Sequence, residues 1–322
     1  MTPAGAVVRF ILLGGAWGSS FLMMKLAVAG LSPGQVVLGR LVLGALALSL
    51  LLVLARRPWP RQRQLWLHLA VTAAVGCVIP FLLFAWAAER IPSGVSSVLN
   101  SAVPLATAAV TALALRQEKV TRWKLAGILT GAVGILLVLS PWRFYAADAV
   151  DLWGQFACLG AVLCFGVVFA YTKKYVSPHS ADPVGVAAVQ MAAACLLVLV
   201  MAPFIAVGPV TLTVPVVVGM LLLGVVSTGL AYIWNFRLIG QWGATAASTV
   251  AYITPLVGVA LGALVLHEEI TWNQLAGAAI VIAGIVLAQA GAVPAGDART
   301  GLAQAGSNRT LESPDGEMEE TK

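Results

Sequence analysis

The sequence predicts an all-α polytopic membrane protein whose ten transmembrane helices form two inverted five-helix repeats. Three features lead there: an apolar composition, ten long apolar stretches, and a self-similarity at an offset of about 150 residues. Of the 322 residues, 60% are apolar and only 10% are charged, with a mean hydropathy of +0.94. A soluble domain averages ~45–50% apolar and ~25% charged. So little charge cannot cover a water-facing surface, so the chain needs lipid as its solvent.

The first five stretches are Val8–Val28, Gly34–Ala55, Leu67–Ala88, Gly94–Leu115 and Leu125–Leu139. The second five are Leu152–Lys173, Val184–Ala206, Val214–Phe236, Gly243–Leu266 and Gln274–Gly291. Most approach the ~20 residues with which a helix crosses ~30 Å of hydrocarbon. Backbone groups there must be satisfied internally, and continuous apolar runs exclude alternating barrel strands. The fifth and tenth are the shortest, and they occupy corresponding places. One Arg precedes the apolar core of the opening stretch, as in a signal peptide, but that core runs into Lys25 with no convincing cleavage site and reads as the first span. Cys77, Cys158, Cys164 and Cys195 lie inside spans and read as packing residues.

Basic residues set the orientation. Fifteen of the 19 Lys and Arg lie on the amino-terminal side: at the two ends, in the loops at Arg56–Arg63, Arg116–Lys124 and Lys173–Lys174, and at Arg237. Lys25, Arg90 and Arg143 lie opposite, and Arg40 falls within a span. Positive charge stays cytoplasmic, so both termini are expected inside a bacterial inner membrane. The charge flanks spans and is not interleaved with stacking aromatics, so the net charge of +6 does not indicate a nucleic-acid partner. Residues 292–322, acidic and poor in apolar residues, read as a disordered cytoplasmic tail.

The chain answers to itself in order. Trp17-Gly18-Ser19-Ser20-Phe21 corresponds to Phe165-Gly166-Val167-Val168-Phe169, and Lys25 to Lys173. Val103-Pro104-Leu105 corresponds to Thr254-Pro255-Leu256, and Glu118 with Leu125-Ala126-Gly127 corresponds to Glu268 with Leu275-Ala276-Gly277. The repeats are expected over residues 8–140 and 152–291. Five spans per repeat is an odd number, so the second half enters from the opposite side. Inverted repeats of this kind suit a secondary transporter, with a solute site at the midplane between the halves.

Trp17-Gly18-Ser19-Ser20, Arg40, and Pro104 leading to Glu118-Lys119-Val120-Thr121 resemble one repeat of the EamA family, within the drug/metabolite transporter superfamily. Pro255 leading to Glu268 and Thr271, then Leu275-Ala276-Gly277, resembles the second. The resemblance implies ten helices, both termini inside, and transport of amino acids, related metabolites or drugs, often as export. The sequence departs from the family where Gln117 and His267 replace the glycine usual before the glutamate, and where Gln190 stands opposite Arg40.

Helical spacing selects the residues that can meet a solute. Gly94, Ser97, Ser101 and Pro104 share one face with Asn100 at its border, and Thr245, Ser248, Tyr252 and Pro255 repeat the intervals. Pro104 and Pro255 free backbone carbonyls near the middle of both helices. The same faces also suit helix packing, as do Gly127/Gly131 and Gly258/Gly262. Arg40 is a partner for a substrate carboxylate or half of an ion-pair lock with Glu268 or Glu89, and Gln190 is its neutral counterpart. The candidate solute contacts are Trp17, Ser20, Arg40, Phe84 and Asn100, with Ser101, Gln190, Tyr232, Tyr252 and Thr254. Trp66, Trp86, Trp153, Trp234 and Trp242 stand at span ends and read as interfacial belt residues, while His68 and His179 read as surface residues.

No acid lies mid-span, which favours neutral or zwitterionic solutes over cationic drugs. The sequence holds no HExxH, GxSxG or Walker A motif, so no metal, nucleophile, nucleotide or cofactor is expected and the reading is non-enzymatic. An embedded enzyme acting on a lipid-linked substrate and a channel-like protein remain the alternatives. The partners are a small solute and the bilayer, with monomer and homodimer both open.

Overall fold

The computed structural model describes residues 3–111, 121–140, 151–179, 181–235, 237–238 and 249–290. All regular structure among these residues is helical. The first repeat supplies α1 (Pro3–Val28), α2 (Pro33–Leu54), α3 (Arg63–Ala88), a broken α4 (Ser93–Asn100 and Val103–Ala109) and α5 (Arg122–Leu139). The second supplies α6 (Leu152–Tyr171), α7 (Pro183–Ile205), α8 (Val214–Asn235), α9 (Thr249–Tyr252 running into Ile253–Leu266) and α10 (Trp272–Ala290). Among the described residues, 7 helices have the length and hydropathy to cross a membrane: α1, α2, α3, α5, α6, α7 and α8. With the shorter apolar α9 and α10 and the broken α4, this set is compatible with ten spans. Residues 112–115 and 243–248 of the expected fourth and ninth spans lie outside the described residues. So do Glu118, Arg143, Trp242, Thr245, Ser248 and the 292–322 tail.

The starts of the helices follow from local chemistry. Ser32 caps α2 in a box with Gln35, the serine hydroxyl accepting from Gln35 N (3.4 Å) and Ser32 N donating to Gln35 Oε1 (2.8 Å). Its repeat counterpart, Asp182, caps α7 by accepting from Val184 N and Gly185 N. Thr121 and Asp151 cap α5 and α6 in the same way. The αL residue His267 (φ 53°) ends α9. It occupies the position where the family pattern carries glycine, which adopts that conformation without a Cβ penalty.

Helix packing obeys the inverted repeat. Exchanging α1–α5 with α6–α10 maps the most extensive contacts between the halves onto themselves. α5 lies on α10, α2 on α7 and α4 on α9, each pair its own image. The contact of α1 with α9 is mirrored by that of α6 with α4, α1 with α8 by α6 with α3, and α2 with α8 by α7 with α3. The short α5 and α10 meet backbone to backbone. A Cβ on Gly284 would lie 2.6 Å from Gly131 N, and one on Gly134 would lie 2.7 Å from Val281 N. Only glycine allows this approach, which recovers dispersion contact where no hydrophobic effect drives helices together. Asn273 of α10 closes the pair by donating to Ser140 Oγ (2.7 Å) at the end of α5.

Three features differ from the sequence expectation. α3 and α8 each contain a π-helical segment, Ala74–Val78 and Leu222–Leu230, at corresponding places in the two repeats. Trp234, expected in the interfacial belt, is half-buried against the small apolar cluster that includes Leu13 and Ala16, whereas Trp66, Trp86 and Trp153 are exposed at helix ends. His68 is half-buried, bonded to Tyr171 Oη (2.8 Å) and stacked on Tyr175, so it joins α3 to the end of α6 and is not a free surface group.

Candidate functional site

Arg40 is 5% exposed, and α2 carries it against α8. Its Nε donates to Thr228 Oγ1 at 2.8 Å, and its guanidinium carbon stands 3.6 Å from the centroid of Phe81. Thr228 lies in the π-helical segment of α8, and its own hydroxyl donates to Leu223 O (2.9 Å). That leaves an oxygen lone pair turned to Arg40. The ion-pair partners expected for Arg40 are engaged elsewhere. Glu89 pairs with Arg90 at 2.9 Å, and Glu268 accepts from Ser93 and Gly94. No carboxylate among the described residues is within ion-pair distance of Arg40. A guanidinium has five N–H donors, and the four on its two Nη atoms have no hydrogen-bond partner among the described residues.

Gln190, at the same place in the second repeat, makes the matching contact in the other direction. Its Nε2 donates to Thr72 O (3.3 Å), just before the π-helical segment of α3, and meets Cys77 Sγ (3.7 Å) within it. Cys77 Sγ lies 3.6 Å from Tyr232 Oη, and the Tyr232 ring meets Trp17 edge-on with centroids 6.4 Å apart. Four predicted residues, Trp17, Arg40, Gln190 and Tyr232, are thus gathered from α1, α2, α7 and α8 around Phe81 and Cys77 of α3. Phe84, one turn on from Phe81, stacks on Phe165 and meets Phe21 edge-on. It walls the cluster with aromatic surface.

The other predicted residues sit apart. Ser20 donates to Trp17 O (2.6 Å), Ser101 to Val98 O (2.6 Å) and Thr254 to Val250 O (3.3 Å), so each hydroxyl hydrogen is spent within its own helix. Asn100 and half-buried Tyr252 stand at the breaks of α4 and α9. The α4 break falls at Ser101–Ala102, just before Pro104, which has no N–H for the Asn100 carbonyl. Pro255 likewise cannot donate to the Ala251 carbonyl. Ser97 and Gly94 pack against α9: Ser97 Oγ donates to Thr254 O (2.9 Å), and a Cβ on Gly94 would touch Val259 at 3.5 Å.

Sequence reasoning missed Thr228 and read Cys77 only as packing. The available signal was that Thr228 aligns with Val78 at the repeat offset, a hydroxyl where the other half is apolar. A cavity of about 660 Å³ opens elsewhere, between Pro33, Leu82, Trp86, Trp153, Phe156 and Ile205. Its lining has no charged group to hold a polar solute, and it includes none of the predicted contacts.

The EamA-like transporter family pattern matches residues 5–140 and 152–289. The uncharacterized transporter YoaV of Bacillus subtilis (strain 168) is 26% identical over 272 residues, 84% of this chain and 92% of that protein. A Salmonella typhimurium (strain LT2) protein bearing the name "Probable amino-acid metabolite efflux pump" is 26% identical over 290 residues, 84% of this chain and 90% of its own. A crystal structure of 15% identity superposes with a TM-score of 0.62, covering 89% of this chain and 97% of that one, which shows the shared fold.

Proposed function

The chain belongs to the EamA-like transporter family, and from that premise we propose that it carries small zwitterionic or neutral solutes of the amino-acid type, as an exporter, by alternating access. The observation that carries this reading is the unspent fork of Arg40. An unpaired guanidinium inside a membrane protein is costly, by ~2.5–3.5 kcal/mol at a helix centre on insertion scales. Thr228 and Phe81 orient it, but neither neutralises it. A carboxylate fits the two Nη groups side by side, with both charge and geometry matched.

At the breaks of α4 and α9, Pro104 and Pro255 withhold an N–H from the Asn100 and Ala251 carbonyls, and carbonyls of this kind are acceptors that an ammonium can use. Trp17, Phe84 and Tyr232 give the remainder of the solute an aromatic wall. The relative named as an amino-acid metabolite efflux pump supports the same substrate class. The charge bias supports a cytoplasmic position, in a bacterial cell, for both termini and the Arg56–Arg63 loop, and the inverted halves rock about the midplane.

Flux in proteoliposomes tests the reading. Transport of one amino acid and of its decarboxylated amine is compared in wild type, Arg40→Lys and Arg40→Gln. Saturable flux is expected, with Arg40→Gln raising KM for the amino acid by ~10–100-fold, as loss of a charge-assisted hydrogen bond predicts. The amine should change little, and Arg40→Lys should fall between. Equal losses for both solutes would remove Arg40 from the solute, and non-saturating flux would indicate a channel.

A further inference from the structure

α4 begins after Pro92, whose side chain offers no acceptor to the free N–H groups of the first turn. The acceptor comes from the other half of the molecule. Glu268 Oε1 accepts from Ser93 N (2.7 Å), while Oε2 accepts from Ser93 Oγ (2.9 Å) and Gly94 N (3.1 Å). A carboxylate at a helix N-terminus also meets the positive end of the helix dipole. The local chain is built to deliver it. His267 turns α9 through the αL conformation, and Glu268 N returns to Gly262 O (3.1 Å). A side chain on Gly262 would stand 2.5 Å from Oε2 and 2.8 Å from Ser93 Oγ, so glycine leaves room for the bond.

A seam continues beneath this contact. Ser97 Oγ donates to Thr254 O, and Gly258 leaves space for the Ser97 side chain. A Cβ on Gly18 of α1 would lie 2.9 Å from that same carbonyl. At the edge, Lys25 Nζ donates to Ile91 O (2.9 Å), tying α1 to the loop that enters α4. α1 and α4 belong to one repeat and α9 to the other, so this seam must part for the molecule to open on the Lys25–Glu268 face.

We infer that Glu268 is a reversible latch of the transport cycle, holding α9 to α4 on this face and releasing its three bonds whenever the molecule opens there. The inference rests on the alternating-access reading. Every group in the latch is one that water satisfies once the seam parts, so opening strands no buried polar atom. An apolar seal of the same extent would instead expose hydrophobic surface at each turnover.

The test reads opening without any solute. The probe is Ser97→Cys, at a fully buried position, in the full-length chain with its four native cysteines changed to Ala. A membrane-impermeant charged maleimide is then applied to proteoliposomes from the Glu268 face. Glu268→Gln is expected to raise the labelling rate of the introduced thiol at least tenfold and Ser93→Ala by about threefold. Glu268→Asp, which keeps the charge, should stay within about threefold of the parent. Parent-like labelling in both Glu268→Gln and Ser93→Ala overturns the latch, as does Glu268→Asp labelling as fast as Glu268→Gln. Should Glu268→Gln fail to fold, Ser93→Ala alone decides. Arg40→Gln in the same background should label at the parent rate, so failure of the carboxylate reading is scored separately from failure of the latch.

Discussion

Arg40 and Gln190 occupy the same position in the two repeats, and each reaches across the molecule to the π-helical segment of the other half. Arg40 bonds Thr228 in α8, and Gln190 bonds Thr72 O and meets Cys77 in α3. A π turn shifts hydrogen bonds to i→i+5 and leaves nearby backbone groups less tightly held, which makes it a natural docking point for a polar side chain. The two contacts are alike in place and unlike in charge. That asymmetry fits one anionic group per solute, bound on the Arg40 side.

Removing the hydroxyl that orients Arg40 should loosen the fork without removing its charge. Thr228→Val is expected to raise KM for carboxylate-bearing solutes by about 5–10-fold, the size of one hydrogen bond. Amines should be unaffected, and concentration-dependent flux of an amino acid and its amine measures both. Equal shifts for the two would assign Thr228 to packing alone.

The prolines act on the motion. Pro104→Ala and Pro255→Ala each restore a backbone N–H and allow α4 or α9 to run straighter. Turnover should fall more than affinity, most strongly in the double variant, with expression nearly unchanged. Initial rates and equilibrium binding, measured side by side, check this; unaltered maximal flux in the double variant would reduce both prolines to packing.

The glycine contact between α5 and α10 is a prediction about stability. Gly284→Leu forces a side chain against Gly131 N and Gly127 O, which a Cβ at that position already approaches at 2.6 and 2.7 Å. Overpacking of this kind costs about 1–3 kcal/mol or more, because backbone cannot give way as a side-chain tip does. Thermal unfolding in detergent should show a clearly lowered midpoint. The exposed Leu264→Ala on α9, at 75% exposure, should move it little.

Orientation is tested with tags. Reporters in the Arg56–Arg63 loop and at the carboxy-terminal end should both read cytoplasmic, and one between Ala147 and Asp151 should read the opposite side. The five-plus-five arrangement fails if the tail and the Ala147–Asp151 loop share a side.

The solvent, the helices and the inverted duplication were all legible in the chain before any packing was known. Hydropathy and charge bias act over whole segments, so they survive without any knowledge of neighbours. Arg40 was legible too, because a lone cation in an apolar run is visible wherever the chain folds. What Arg40 touches depended on packing. Glu268 and Glu89 were its candidate partners on charge alone, yet Glu268 is held by the start of α4 and Glu89 by Arg90. Thr228 and Cys77 entered the site through π turns, and nothing in a run such as Leu223–Tyr232 marks where hydrogen bonding slips from i+4 to i+5. Ser20, Ser101 and Thr254 were candidate solute contacts in the sequence, but local geometry returned each hydroxyl to a carbonyl of its own helix. Composition selects the kind of structure because it sums over many residues. A hydrogen bond between residues 188 positions apart depends on where two backbones come to rest, and only the packed fold sets that.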